Sequence, residues 1–234
     1  MKRALSIACT VLLACGGSDK PNFGPETDAT PAQQAAITSA EQGFGQLALA
    51  DTQGAAAGTA ALGLATNSLL LFQPKSSGAI AAPNSVIDPD VLAALGAAAQ
   101  ADCAVVSSNS ITWHQCMESG YTFDGAISWR PGHVDVSLRL TGTAQTGSFD
   151  YALDGSLSVS AVAIQSDMTM SVSATVGANH VSETVHSQVD VTIASGCITS
   201  GTMTVTASGS GTGAVNGAVE VIWTACHAFR VRNA

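Results

Sequence analysis

From residue 101 to the C-terminus, apolar and polar residues alternate with a period of two, the pattern of strands with one buried and one wet face. In YTFDGAISW the residues Tyr121, Phe123, Ile127 and Trp129 share one parity, as do Val134, Val136, Leu138 and Leu140 in HVDVSLRL. Their opposite faces carry Thr122, Asp124, Ser128, Asp135, Ser137 and Arg139. SFDYALDGSLSVSA repeats the alternation through Phe149, Tyr151, Leu153, Leu157 and Val159. Further strands are predicted around Met168–Val176, Val181–Ile193 and Met203–Val205, the last pairing with a closing strand that holds Val215, Val219, Val221 and Trp223. Glu183 falls on the apolar parity, which predicts a bulge or an edge there, since an isolated buried carboxylate is costly. The triplets FDG at Asp124 and LDG at Asp154 read as turns, with aspartate bonding to backbone donors and glycine taking a positive φ.

Before residue 101 the rhythm changes. Residues 31–72 are rich in alanine and other helix formers, and Thr30 followed by Pro31 supplies a cap and a first turn. Ile37, Phe44, Leu47 and Ala48 form the expected apolar stripe. Gly54, Gly58 and Gly63 each cost about 1 kcal/mol in a helix, so two segments joined near 52–58 are predicted. A further helix opens at Pro89 and runs within 88–100. Residues 16–30 combine Gly, Pro and short polar side chains and read as a flexible tether. The expected fold is therefore mainly β with an N-terminal α-helical region. It is a twisted antiparallel sheet or partly open barrel covered by helices, with a β-sandwich as the alternative. A weak internal echo, Ile111–Cys116 against Val221–Cys226, places a Trp three positions before a Cys in both segments.

The N-terminus carries a different signal. Lys2 and Arg3 precede an apolar run from Ala4 to Ala14, too short for a permanent membrane span. Its last residues, Leu12-Leu13-Ala14-Cys15, resemble the lipobox of bacterial lipoproteins. That resemblance implies cleavage after residue 14 and acylation of Cys15, hence a lipid bilayer as partner. It also implies a place in the bacterial cell envelope, and Gly16 after the cysteine resembles the class sorted to the outer membrane. The organisation that follows is a signal at 1–14, a lipidated N-terminus and tether at 15–30, an Ala-rich helical region and connector at 31–100, and an antiparallel β domain at 101–234. Cys9 leaves with the signal and Cys15 takes lipid, so Cys103, Cys116, Cys197 and Cys226 remain. Three pairings are possible. Cys103–Cys116 and Cys197–Cys226 are favoured because each pair brackets a segment that can return as a hairpin, and an oxidising envelope permits both.

Composition narrows the chemistry. The net charge is -9, and loss of Lys2 and Arg3 makes the mature chain two charges more negative, so nucleic acid has no electrostatic support as a partner. Charged residues are only 11% of the chain, which leaves solubility to hydroxyl-bearing surfaces. His180 and His186 share a strand parity near Glu183 and Asp190, but a metal site would need a third convergent ligand. His114, His133 and His227 fall in other elements. Asp124, Asp135, Asp150 and Asp154 read as solvent-facing or turn residues, and no pair is brought to one cleft by spacing alone. No nucleophile elbow, phosphate loop, HExxH or dinucleotide fingerprint occurs, and the Gly-rich run at 207–219 lacks a phosphate-binding lysine. No metal, cofactor or catalytic residue is expected. The leading expectation is a membrane-anchored structural or protein-interaction lipoprotein with an envelope protein as partner. The alternative is a carrier for a small apolar ligand, lined by Tyr121, Phe123, Trp129, Phe149, Tyr151, Met168 and Met170.

Overall fold

The computed structural model describes residues 21–49, 102–118, 120–144, 147–211 and 214–234. One helix, α1 (Pro31–Leu49), precedes ten strands. These are β1 (Ala104–Val106), β2 (Ser110–Glu118), β3 (Tyr121–Arg130), β4 (His133–Ala144), β5 (Gly147–Val159), β6 (Ala163–Val176), β7 (Asn179–Ala194), β8 (Cys197–Gly211), β9 (Gly217–Ala225) and β10 (Ala228–Asn233). Each strand pairs antiparallel with the next, so one open sheet runs in sequence order from β1 to β10. All ten strands belong to one sheet, not to the two of a sandwich.

The period-two pattern becomes one apolar face. Val134, Leu153, Ile164, Val205 and Val221 are completely buried on it, while Asp135, Asp154, Gln165 and Asp190 are exposed on the other. Two sequence readings change here. Asp124-Gly125 and Asp154-Gly155 lie inside β3 and β5 and are not turns. Gly125 and Gly155 do have positive φ values of 116° and 149°, and a Cβ at either would sit 2.1 Å from a carbonyl oxygen of the adjoining strand. The glycines therefore mark kinks where neighbouring backbone comes close. Glu183, in turn, sits at neither a bulge nor an edge. It lies within the regular ladder of the interior strand β7, between Val172 of β6 and Gly209 of β8.

The Trp–Cys echo has a structural basis. Trp113 pairs with Gly125 and Trp223 with Gly201, so each indole lies opposite a glycine of positive φ, and both rings are essentially buried. An aromatic ring over a cross-strand glycine covers backbone that the glycine leaves bare. The cysteine three positions later joins a bridge in each case: Cys116 to Cys103 and Cys226 to Cys197.

Helix α1 begins in a reciprocal capping box. Gln33 N–H donates to Thr30 Oγ1 (3.3 Å), and Thr30 N–H donates to Gln33 Oε1 (3.0 Å). Its buried stripe is Ala36, Ile37 and Ala40, and the helix packs against β8. The side chains of Phe44, Leu47 and Ala48, and the helices expected within 59–72 and 88–100, lie outside the described residues. Among the described residues, then, the sheet has one helix against it, and no helix is long and apolar enough to cross a membrane.

The two edges of the sheet differ. Residues 24–28, read from composition as part of a tether, run along β10. Thr27 and Val231 exchange backbone hydrogen bonds of 2.9 and 3.0 Å, and Gly24 N–H donates to the Asn233 carbonyl at 3.0 Å. Asp28 pairs with Arg230, and Glu26 with Arg232 at 2.8 Å. Strand β10 itself is an addition to the sequence reading, which closed the sheet at Trp223.

Candidate functional site

Strand register assembles the wet face into straight rows of short polar side chains. Asp135, Ser156, Asp167, Gln188, Thr204 and Glu220 form one row across β4 to β9. Several side chains on this face bond to cross-strand neighbours. Ser137 Oγ–H donates to Asp154 (2.7 Å), and the Arg139 guanidinium donates to both oxygens of Asp150. That guanidinium holds the Asp150 carboxyl below its ordinary value. Asp167 accepts from Gln188 (3.0 Å) and lies 2.7 Å from His186 Nε2, and these hydrogen bonds lower its pKa, the one from Gln188 most.

One arrangement on this face links three chemistries. His133 and Ser158 are register partners on β4 and β5, and Asp135 follows His133 by two on the same face. Ser158 Oγ lies 2.8 Å from His133 Nδ1, and Asp135 Oδ1 lies 3.0 Å from Nε2. Because a carboxylate only accepts, the neutral ring carries its proton on Nε2 and its Nδ1 accepts the Ser158 hydroxyl. The His133 side chain is 19% exposed, against 54% for Asp135. The next residue in the row, Gln165 on β6, donates from Nε2 to Asp190 on β7 (3.3 Å). Gln165, Gln188, Asp190, Thr202 and Thr204 surround a shallow recess of about 280 Å³.

A second cluster ties α1 to the sheet. Trp223 Nε1–H donates to Glu41 Oε1 (2.8 Å), and His227 Nδ1 lies 3.2 Å from Glu41 Oε2. The Glu41 side chain is 9% exposed. Ligand atoms of His227, Cys197 and Cys226 lie within 4.8 Å of one another, but the two sulfurs are bonded together, so the group is a disulfide beside an imidazole.

The remaining residues singled out from sequence are dispersed. His180 bonds Thr175 Oγ1 (3.2 Å) and His186 bonds Asp167, so the two β7 histidines each engage β6 and are not brought together. His114 is exposed on β2, and Cys15 lies outside the described residues. Phe123, Tyr151, Met168 and Met170 are buried in one core cluster, against which Tyr121, Trp129 and Phe149 pack; the polar recess is on the opposite face. Sequence reasoning missed the Ser158–His133–Asp135 chain because 25 residues separate Ser158 from His133. The available signal was the His-x-Asp spacing together with the β4–β5 hairpin, whose pairing of Ala144 with Gly147 fixes His133 opposite Ser158.

Exposed apolar side chains are unevenly placed. Among the described residues the large ones are Val105, Val106, Met117 and Val162, and three of these four lie on β1 and β2, at the edge away from β10. Fold and surface together define an open antiparallel β-meander with one sealed edge and one apolar edge. Comparison of the chain with protein-family models, curated proteins and solved structures returns no match.

Proposed function

We propose that this protein is a lipid-anchored protein-interaction module of the bacterial cell envelope, held to the membrane through Cys15 and docking a partner along the β1–β2 edge. The observation that supports docking is the contrast between edges. Residues 24–28 cover β10, whereas β1 is three residues long and exposes Val105 and Val106 at 60% and 61%, with Met117 at 77% on β2. Exposed strand edges are usually shortened, charged or covered, because their free N–H and C=O groups recruit other strands. Here the edge is short but apolar and uncharged over Ala104–Val106, which suits an extended partner segment that adds backbone hydrogen bonds and alternate apolar side chains. The occupant is thus an extended segment of another envelope protein with apolar residues at every second position.

The anchor rests on the lipobox resemblance, and two or three acyl chains give the stable attachment that one chain does not. Mass spectrometry of the mature N-terminus from native membranes tests it. The expected species begins at an acylated Cys15; an unmodified Cys15, or a mature chain that begins elsewhere, contradicts the anchor.

A further inference from the structure

We propose that Ser158, His133 and Asp135 form an acyl-transfer site that hydrolyses small uncharged esters at the lip of the polar recess. The proposal goes beyond docking and does not depend on it. A nucleophile within hydrogen-bond reach of a base, with the base oriented by a third group, is the general signature of an activated hydroxyl. The distances of 2.8 and 3.0 Å at the two imidazole nitrogens meet it. Among the described residues, His133 is the imidazole that bonds to both a hydroxyl and a carboxylate. His180 has a hydroxyl alone, while His186 and His227 each have a carboxylate alone.

Scaffold and space agree with the geometry. The three side chains stand on β4 and β5, whose backbones are paired on both sides, so their spacing is held by the ladder and not by a loop. Gln165 stands opposite Ser158 on β6, and its amide has a second N–H beside the one given to Asp190, a donor for the oxygen that becomes negative during attack. The recess beyond it is lined by the amides of Gln165 and Gln188, the hydroxyls of Ser166, Thr202 and Thr204, Asp190 and the apolar Val189, with no cation in the lining, which favours a small uncharged acyl group over an anionic one.

The reaction needs no cofactor. Ser158 Oγ attacks the ester carbonyl and its proton passes to His133 Nδ1, while Asp135 stabilises the imidazolium through Nε2–H. Collapse breaks the bond to the alkoxy group, which leaves as the alcohol with the proton from Nδ1, and the acyl group stays on Ser158. Water then attacks the acyl carbon and gives a proton to Nδ1. The bond to Ser158 breaks, Oγ recovers that proton, and the carboxylic acid departs.

Two readouts on the full chain test the site: covalent labelling by a fluorophosphonate probe with peptide mapping, and turnover of p-nitrophenyl acetate. The label is expected on Ser158 and is lost in Ser158→Ala. Turnover is expected to fall about 100-fold or more in Ser158→Ala and in His133→Gln, the scale of a lost nucleophile or base. Asp135 is a positioning residue, so Asp135→Asn slows labelling without moving it from Ser158 or shifting the thermal midpoint. A label that is absent from the wild-type chain, or spread over exposed serines, overturns the proposal whether or not any variant folds. So does turnover that persists unchanged in a folded Ser158→Ala chain.

Discussion

Glu183 stands where the strand pattern calls for an apolar side chain, half-buried on β7. Burial raises its pKa, the only cause acting on it, because the charged form loses hydration without gaining a partner among the described residues. A carboxyl whose folded pKa lies above its unfolded value imposes no penalty below the unfolded value of about 4.3 and reduces stability as pH rises through the folded one. Glu183→Gln is therefore expected to raise the thermal midpoint at pH 7 and to leave it unchanged at pH 4, as read by thermal unfolding at both values. A lower midpoint at pH 7 contradicts this account. The parity conflict at Glu183 was legible in the sequence, but its resolution was not. A bulge or an edge relieves such a charge by exposing it, whereas here an interior strand keeps it half-buried and the lost hydration raises its pKa. Asp124-Gly125 and Asp154-Gly155 teach the same lesson, because local chemistry identified the positive φ but not whether the chain turns or only kinks there.

At the scale of elements, α1 joins the sheet through one buried polar contact as well as through Ile37. Glu41 accepts from the Trp223 indole and faces His227, whose turn is fixed by the Cys197–Cys226 bridge. Removing the acceptor leaves a buried indole N–H unpaired, which costs about 1–3 kcal/mol. Glu41→Ala should lower stability by that amount in urea unfolding followed by tryptophan emission, while Glu41→Gln, which keeps an acceptor oxygen, should lower it less. Equal stability of Glu41→Ala and the parent would show that Trp223 finds another partner. The start of α1 was readable at Thr30-Pro31 because a cap is a local device. Glu41 was not, since its partner lies 182 residues away and no helical periodicity marks a residue that bonds at long range.

For the whole molecule, alternation from residue 101 onward was enough to read an antiparallel sheet, because a half-buried strand repeats its environment every second residue. Strand order follows the chain from β1 to β10, the simplest topology that short connections allow. Edges were the illegible part. Residues 24–28 have the composition of a linker, yet their acidic side chains pair with Arg230 and Arg232 and their backbone pairs with β10. That seal leaves β1–β2 as the edge with exposed apolar side chains. The most direct measurement is photo-crosslinking in intact membranes from a reactive residue placed at position 105, with position 230 on the sealed edge as its control. The account predicts a product from position 105 alone, joined to one extended, alternately apolar segment of a different envelope protein, as mapped by tandem mass spectrometry. Equal products from both positions, a product joining two copies of this chain, or no product at position 105 would contradict it.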